Sequence, residues 1–363
     1  MGKSEKTKSG VLAHPKMINP DLLINKKNWS RLIRSWKNTK LPHALLFHGP
    51  DGSGKEGHAV ELAALLNCTA LRDEEPCGSC PSCKKTKSFQ HGSVKLILPL
   101  PRGKIKSSDD PVTKSFSDSL LKEYLEMLKE KEADPYYSIR VPGANTILIN
   151  SIRDLKHDVS LSTINNEWRI ILIFQAEKLC IPSPEAAHAL LKVLEEPPER
   201  TLFILVSSQP GAILDTIHSR CQSLYFPPIS TQILEKQLQE SGADPVQAAV
   251  MARISCGNVG LSRELMQNST DLMEKLYMFL NACFSNDPAV WEKCIDTTSR
   301  LKTKDISQME QLFRCAVLFF RDLLYYSATN SDDEIIYKNQ MSKIDKLSNR
   351  YFYNSFGMKQ IHD

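Results

Sequence analysis

The segment Ala44-Leu-Leu-Phe-His-Gly-Pro-Asp-Gly-Ser-Gly-Lys55 constrains this chain more than any other. Its apolar run, Ala44 to Phe47, has the length of a strand buried on both faces and breaks into a turn with glycine at 49, 52 and 54. Ala59, Leu62, Ala63 and Leu66 then recur at helical spacing. Strand, glycine turn and helix in that order open a nucleotide-binding α/β domain. The turn Gly49-Pro50-Asp51-Gly52-Ser53-Gly54-Lys55 satisfies G-x-x-x-x-G-K. In such a loop backbone N–H groups cradle phosphate oxygens and the lysine adds a point charge. The bland alternative is a glycine-rich connection without a ligand, and the flanking strand and helix weigh against it.

The next residue is Glu56, where a magnesium-dependent loop carries Ser or Thr to ligate the metal. A carboxylate about 4 Å from a phosphate charge is repelled by ~4 kcal/mol at an effective dielectric near 20, around three decades of affinity. The side chain can relieve this by turning away or by ligating Mg²⁺ itself. Hydrolysis also needs acidic residues at the end of a neighbouring strand, to hold the metal and polarise water. The candidate strand is Arg169 to Phe174, and Phe174 and Gln175 stand where an Asp-Glu pair belongs. Glu177 comes two to three positions late and reads as a surface residue. Two separate parts of the magnesium machinery are missing. The expectation is a chain that neither hydrolyses nor binds ATP and keeps Gly49, Gly52, Gly54 and Lys55 as a degenerate cradle.

Further buried-strand runs at Val94–Leu98, Leu202–Val206 and Ser223–Phe226 bring the strand candidates to five. Alternating with helices, they imply a parallel sheet with right-handed crossovers. A helix is expected from Ile149 to about Leu161. Another is capped by Ser183, starts at Pro184 and stops before Pro197-Pro198. Residues 101–142 are polar and rich in Pro, Lys and Ser, and read as a partly mobile surface insertion with no assigned role. Its one amphipathic helix carries Leu120, Leu121, Tyr124, Leu125 and Leu128 on one face. The α/β domain therefore spans 1–228, and helices alone follow, in a small domain over 229–268 and another over 269–363. In the last, Ile306, Met309, Leu312, Phe313, Ala316, Val317, Phe320 and Leu324 make a stripe too wide for a free-standing helix. It packs in a bundle or against a partner subunit.

The ten cysteines fall into two kinds. Cys68, Cys77, Cys80 and Cys83 lie close together as Cys-x₈-Cys-x₂-Cys-x₂-Cys, a spacing that suits a closed, structural S₄ site for Zn²⁺ within 68–83. Four reduced thiols, or an iron–sulfur site, are the alternatives, and neighbouring His58 and His91 are not expected to ligate. The other six cysteines read as buried small hydrophobes. Met1 to Lys16 is polar and lacks the apolar core of a signal peptide, and no run nears the ~18 apolar residues of a membrane span. A cytoplasmic protein with no membrane partner is the expectation.

Several segments together resemble one family. Leu41-Pro-His-Ala-Leu-Leu-Phe-His-Gly-Pro50, the cysteine quartet, Ile173-Phe-Gln-Ala-Glu-Lys-Leu179, Ala187-His-Ala-Leu-Leu-Lys-Val-Leu-Glu-Glu-Pro-Pro198 and Ser219-Arg-Cys221 resemble the delta-prime subunits of the bacterial DNA polymerase III clamp loader, in the AAA+ group. The likeness covers roughly Leu32 to Arg263. It implies an AAA+ five-stranded parallel sheet with an inserted zinc module, then a helical lid and a C-terminal helical collar. It also implies a non-motor member of a pentameric ring, beside gamma/tau-like ATPase subunits and a delta-like subunit, that helps load the sliding clamp onto primed DNA. In such a ring Arg220 would act as an arginine finger on a neighbour's ATP, although an arginine in a lone Ser-Arg-Cys more often pairs with a surface acid. Ser207 and Ser208 stand where a motor carries a γ-phosphate sensor. Gly260 takes the place of a second sensing arginine, with Arg263 shifted onward. The competing reading is an active clamp-loader ATPase with an unusual Mg²⁺ ligand. A zinc-ribbon nucleic-acid binder fits less well, because a net charge of +4 comes with no basic stripe interleaved with aromatics.

Overall fold

Apolar side chains on both sides of the central strands draw helices onto both faces of one parallel sheet. In chain order the elements are α1 (Lys26–Lys37), β1 (Ala44–His48), α2 (Lys55–Asn67), α3 (Pro81–Lys87), β2 (Val94–Ile97), α4 (Asp118–Ala133), α5 (Ile149–Ser160), β3 (Arg169–Phe174), α6 (Glu185–Glu195), β4 (Thr201–Ser207), α7 (Asp215–His218) and β5 (Gln222–Tyr225). The strands lie in the order β2-β3-β4-β1-β5, every pairing parallel. The computed structural model describes residues 17–160, 167–285, 287–299 and 306–351, so Leu161, the expected end of α5, lies outside the described residues. The chain divides between Pro227 and Pro228.

Strand periodicity splits the core in two. Leu45, Phe47, Leu172, Phe174, Ile204 and Val206 pack with α2 on one face. Leu46, Ile171, Ile173, Phe203 and Leu205 pack with α5 and α6 on the other. The register sets His48 beside Ser207 and Phe174 beside Val206, so the C-terminal ends of β1, β3 and β4 converge on the glycine turn. That edge is where open α/β sheets place their ligands.

The stretch 101–142 is not the loose surface insertion expected from its composition. Ile105, Met127, Ile139 and Val141 belong to the α2-side core, and Lys131 and Tyr136 are buried as well. Of the expected inward face of α4, Leu120, Tyr124 and Leu128 pack against the core, Leu121 and Leu125 are exposed, and Met127 and Lys131 point in beside the first three. Leu121 and Leu125 each follow an inward residue by one position, which turns them about 100° toward solvent, and the inward row continues instead to a charged residue, Lys131. Pro184 rather than Ser183 occupies the N-cap of α6.

Only helices follow Pro228 among the described residues: α8 (Thr231–Glu240), α9 (Pro245–Ile254), α10 (Val259–Gln267), α11 (Ser269–Cys283), α12 (Pro288–Ser299), α13 (Ile306–Thr329) and α14 (Met341–Tyr351), with one 3₁₀ turn before α14. Within this unit α13 turns Leu312, Cys315, Ala316, Phe319 and Leu323 inward. Buried Asp322 accepts the Ile336 and Tyr337 amides at 2.8 and 2.9 Å, tying the following loop down. The expected stripe is thus divided, because Phe313 and Val317 are 49% and 65% exposed and Leu324 is exposed too. Of the six scattered cysteines, Cys294 and Cys315 are buried as expected, whereas Cys256 is exposed. Among the described residues no helix is long and apolar enough to cross a membrane.

Candidate functional site

The glycine turn has the shape its sequence demands. Gly49 sits at φ +145°, and a Cβ there would lie 2.0 Å from the backbone oxygen of Phe226. Gly54, left-handed at φ +83°, caps α2. Lys55 does not reach outward. Its buried ammonium donates to the carbonyls of Gly49 at 2.7 Å and Pro50 at 2.5 Å, both in its own loop. Burial lowers its pKa, partly countered by the charges of Asp51, Glu56 and Glu177.

Glu56, one residue into α2, is ion-paired with Lys131 of α4 at 2.5 Å. At the end of β3, Phe174 is fully buried and Gln175 donates to the Ile139 carbonyl at 2.8 Å. Glu177 is not a surface residue: it is 7% exposed and accepts a hydrogen bond from Ser207 Oγ at 2.6 Å. The turn after β3 is short and tight, which carries position 177 back under the end of β4 instead of out to solvent. An acid therefore stands beside the cradle, with one of its oxygens accepting the Ser207 hydroxyl. Asp51 pairs with Ser208 Oγ and lies 3.6 Å from Arg140.

Two more buried groups anchor the start of the described chain to α2. Glu61 accepts the amides of Ile18 and Asn19 at 3.1 and 2.7 Å. His58 bonds the Gly54 carbonyl through Nδ1 and accepts the Asn25 amide at Nε2.

The cysteine quartet converges. The four Sγ atoms lie within 4.8 Å of one another, and Cys68 and Cys80 are 3.9 Å apart. Tetrahedral zinc with bonds of about 2.3 Å needs sulfurs about 3.8 Å apart, so the donor set fits a metal such as zinc after a slight contraction. Backbone amides of Cys77, Cys80 and Cys83 point at Cys68, Cys77 and Cys80 sulfurs at 3.3–3.4 Å. Cys80 caps α3, with Pro81 in its first turn, which explains the Cys-Pro-Ser-Cys spelling. Neither neighbouring histidine joins the set: His58 is held as above, and His91 bonds Ser82 Oγ at 3.0 Å.

Arg220 lies in the turn between α7 and β5. Its guanidinium donates to Glu195 at 2.7 Å and to the Thr216 carbonyl at 2.9 Å, and it stays about one-third exposed. Glu195 is the first glutamate of the Leu-Glu-Glu-Pro-Pro run, a partner the sequence reading did not assign.

A family model described as DNA polymerase III, delta subunit, matches residues 24–230, more than half of the chain. DNA polymerase III subunit delta' of Bacillus subtilis is 27% identical over 322 residues, 86% of this chain and 80% of that protein. The Escherichia coli delta' subunit is 24% identical over 66% of this chain and 59% of its own length. Subunit tau of Bacillus subtilis is 29% identical over 54% of this chain but only 26% of tau.

Proposed function

The chain belongs to the DNA polymerase III delta subunit family, and from that premise we propose that it is a non-motor, delta-prime-type subunit of the clamp loader that lends Arg220 to a neighbour's ATP site. One observation carries the non-motor part. The end of β3, where a motor holds its magnesium acid, presents a buried phenyl ring, and the nearby acid Glu177 is occupied by Ser207. The competing reading of an active ATPase has no such support.

Arg220 is suited to its part because a guanidinium is always charged and offers planar, forked donors that match phosphate oxygens. Its pair with Glu195 is part-exposed, and such pairs are held by about 0–1 kcal/mol. A triphosphate on an adjoining subunit can therefore displace the carboxylate. There the cation would neutralise charge growing on the equatorial oxygens as the γ-phosphoryl group transfers.

The wider reading follows the family. The partners are gamma/tau-like ATPase subunits and a delta-like subunit in a pentameric ring in the cytoplasm, with the sliding clamp and primed DNA reached through that ring. Helices α8–α10 form the lid and α11–α14 the collar. The exposed Phe313, Val317 and Leu324 face of α13 suits burial against a collar neighbour. The quartet holds a structural zinc, and no ATP is bound in this chain's own cradle.

The test is ATP turnover in an assembly reconstituted with its motor subunits. Arg220→Ala lowers the neighbour's hydrolysis by about 10³-fold or more. Lys55→Ala, which disturbs only the loop's internal bonds, leaves turnover per assembled ring unchanged. Hydrolysis by the isolated chain that Lys55→Ala abolishes would overturn the reading.

A further inference from the structure

The residues of the cradle do not fit a bound magnesium ion, and the misfit has a built cause. We propose that the ε-ammonium of Lys131 is a tethered replacement for the divalent cation, and that residues 131–141 are an internal plug holding the cradle shut. The inference deepens the non-motor reading and rests on it, since it names the part of the chain that does the closing.

In a working loop the metal bridges the residue after the lysine and the acid at the end of the neighbouring strand. Lys131 touches the occupants of both positions. Its nitrogen is 2.5 Å from Glu56 Oε2 and 5.9 Å from the centroid of the Phe174 ring, within range of a cation–π contact. Its other two N–H groups go to the carbonyls of Pro135 at 2.9 Å and Tyr137 at 2.6 Å. An ammonium has three donors, so all are used, and the side chain is 2% exposed. A single positive charge thus meets the single negative charge of Glu56 with no metal required.

The peptide after Lys131 completes the closure. Pro135 packs over Gly57 and Tyr136 over Gly54, close enough that a Cβ on either glycine would meet them at 3.2 and 3.4 Å. Tyr136 Oη accepts the Leu23 amide at 2.8 Å, fixing the ring against the residues before α1. The Ile139 carbonyl takes the Gln175 amide group, and Arg140 reaches Asp51. Residues 131–141 therefore span the first turn of α2, the end of β3 and the glycine turn. Substitution of Ser or Thr by Glu at 56 is in this view half of an exchange, whose other half is a lysine supplied from the insertion.

Hydrogen exchange read by mass spectrometry on the full chain, with and without Mg²⁺ and ATP, tests this. In the unaltered protein the peptide over 131–141 should exchange as slowly as the sheet strands, and MgATP should change neither it nor residues 49–55. Lys131→Met, similar in length but uncharged, should speed exchange over 131–141 by about 10²-fold, as expected when one member of a buried pair is removed. Glu56→Gln/Lys131→Met, which removes both charges, should recover most of that protection. Should Lys131→Met fail to fold, Glu56→Gln alone serves: it keeps an acceptor and should speed exchange by about 10-fold. Fast exchange over 131–141 in the unaltered chain, or no response to these variants, sinks the plug and leaves the non-motor reading standing. MgATP that slows exchange over 49–55 while loosening 131–141 overturns both.

Discussion

Replacing Glu61 by Gln should expose a pH dependence that the native protein hides. Glu61 is 0% exposed, and burial raises its carboxyl from 4.5 to about 7, against the Asn19 and Ile18 amides, which favour the charged form. At 1.36 kcal/mol per pH unit this is worth about 3 kcal/mol. The folded chain keeps a proton that the unfolded chain has released, so this contribution is complete below pH 4.5 and is lost as pH rises toward 7. His58 acts in the opposite sense. Burial lowers it from 6.5 to about 4 despite the Gly54 carbonyl, so the unfolded chain takes up a proton first as pH falls. Its contribution, also about 3 kcal/mol, is complete above pH 6.5 and lost toward pH 4. The two slopes overlap between pH 4.5 and 6.5 and cancel there. Glu61→Gln keeps one acceptor and turns an amide N–H₂ toward a backbone N–H, a penalty of roughly 1–3 kcal/mol that does not vary with pH. The stability of the native chain minus that of the variant should therefore fall by about 3 kcal/mol from pH 4.5 to 7. Urea unfolding of the full chain, with the first unit followed by exchange of β1, β3 and β4 amides, measures it. A difference curve that stays flat across that window would refute the account of Glu61 as a buried carboxyl that prefers its proton.

Two predictions concern the turn and the metal. Gly49→Ala drives a methyl group into the Phe226 backbone and should destabilise by about 3 kcal/mol or more, visible as a melting temperature lowered by about 6 °C or more, whereas Gly211→Ala, with open space around it, should be neutral. Metal analysis of the purified chain should find one zinc, and stripping it, or Cys83→Ser, should raise exchange over α3 while β1, β3 and β4 keep their protection. A chain without metal that holds α3 equally well would refute the structural role.

Much of this architecture could be read from local spelling. The strand, glycine turn and helix at 44–67 are encoded in steps of two to four residues. So are the Cys-x₂-Cys turns, the buried runs of β3 and β4, and the change to helices after Pro228. The requirement for glycine at 49 is likewise visible as a motif. Other features escape local spelling because their partners are distant along the chain or because a face has more than one thing to cover it. The burial of Glu177 depends on Ser207, 30 positions later. The inward face of α13 was blurred because a stripe broad enough for two contacts offers no clue to which half its own unit covers.

The pairing of Glu56 with Lys131, 75 positions apart, is the clearest case. Read alone, the glutamate only subtracts a metal ligand, and a lysine on the apolar side of α4 only spoils an amphipathic pattern. Short-range periodicity and steric demand specify elements, turns and metal-ligand spacing, because each depends on neighbours a few bonds away. Which charges meet in the buried space between elements depends on how the insertion folds back over α2, and that is settled only when the packed core excludes water and leaves each charge one partner.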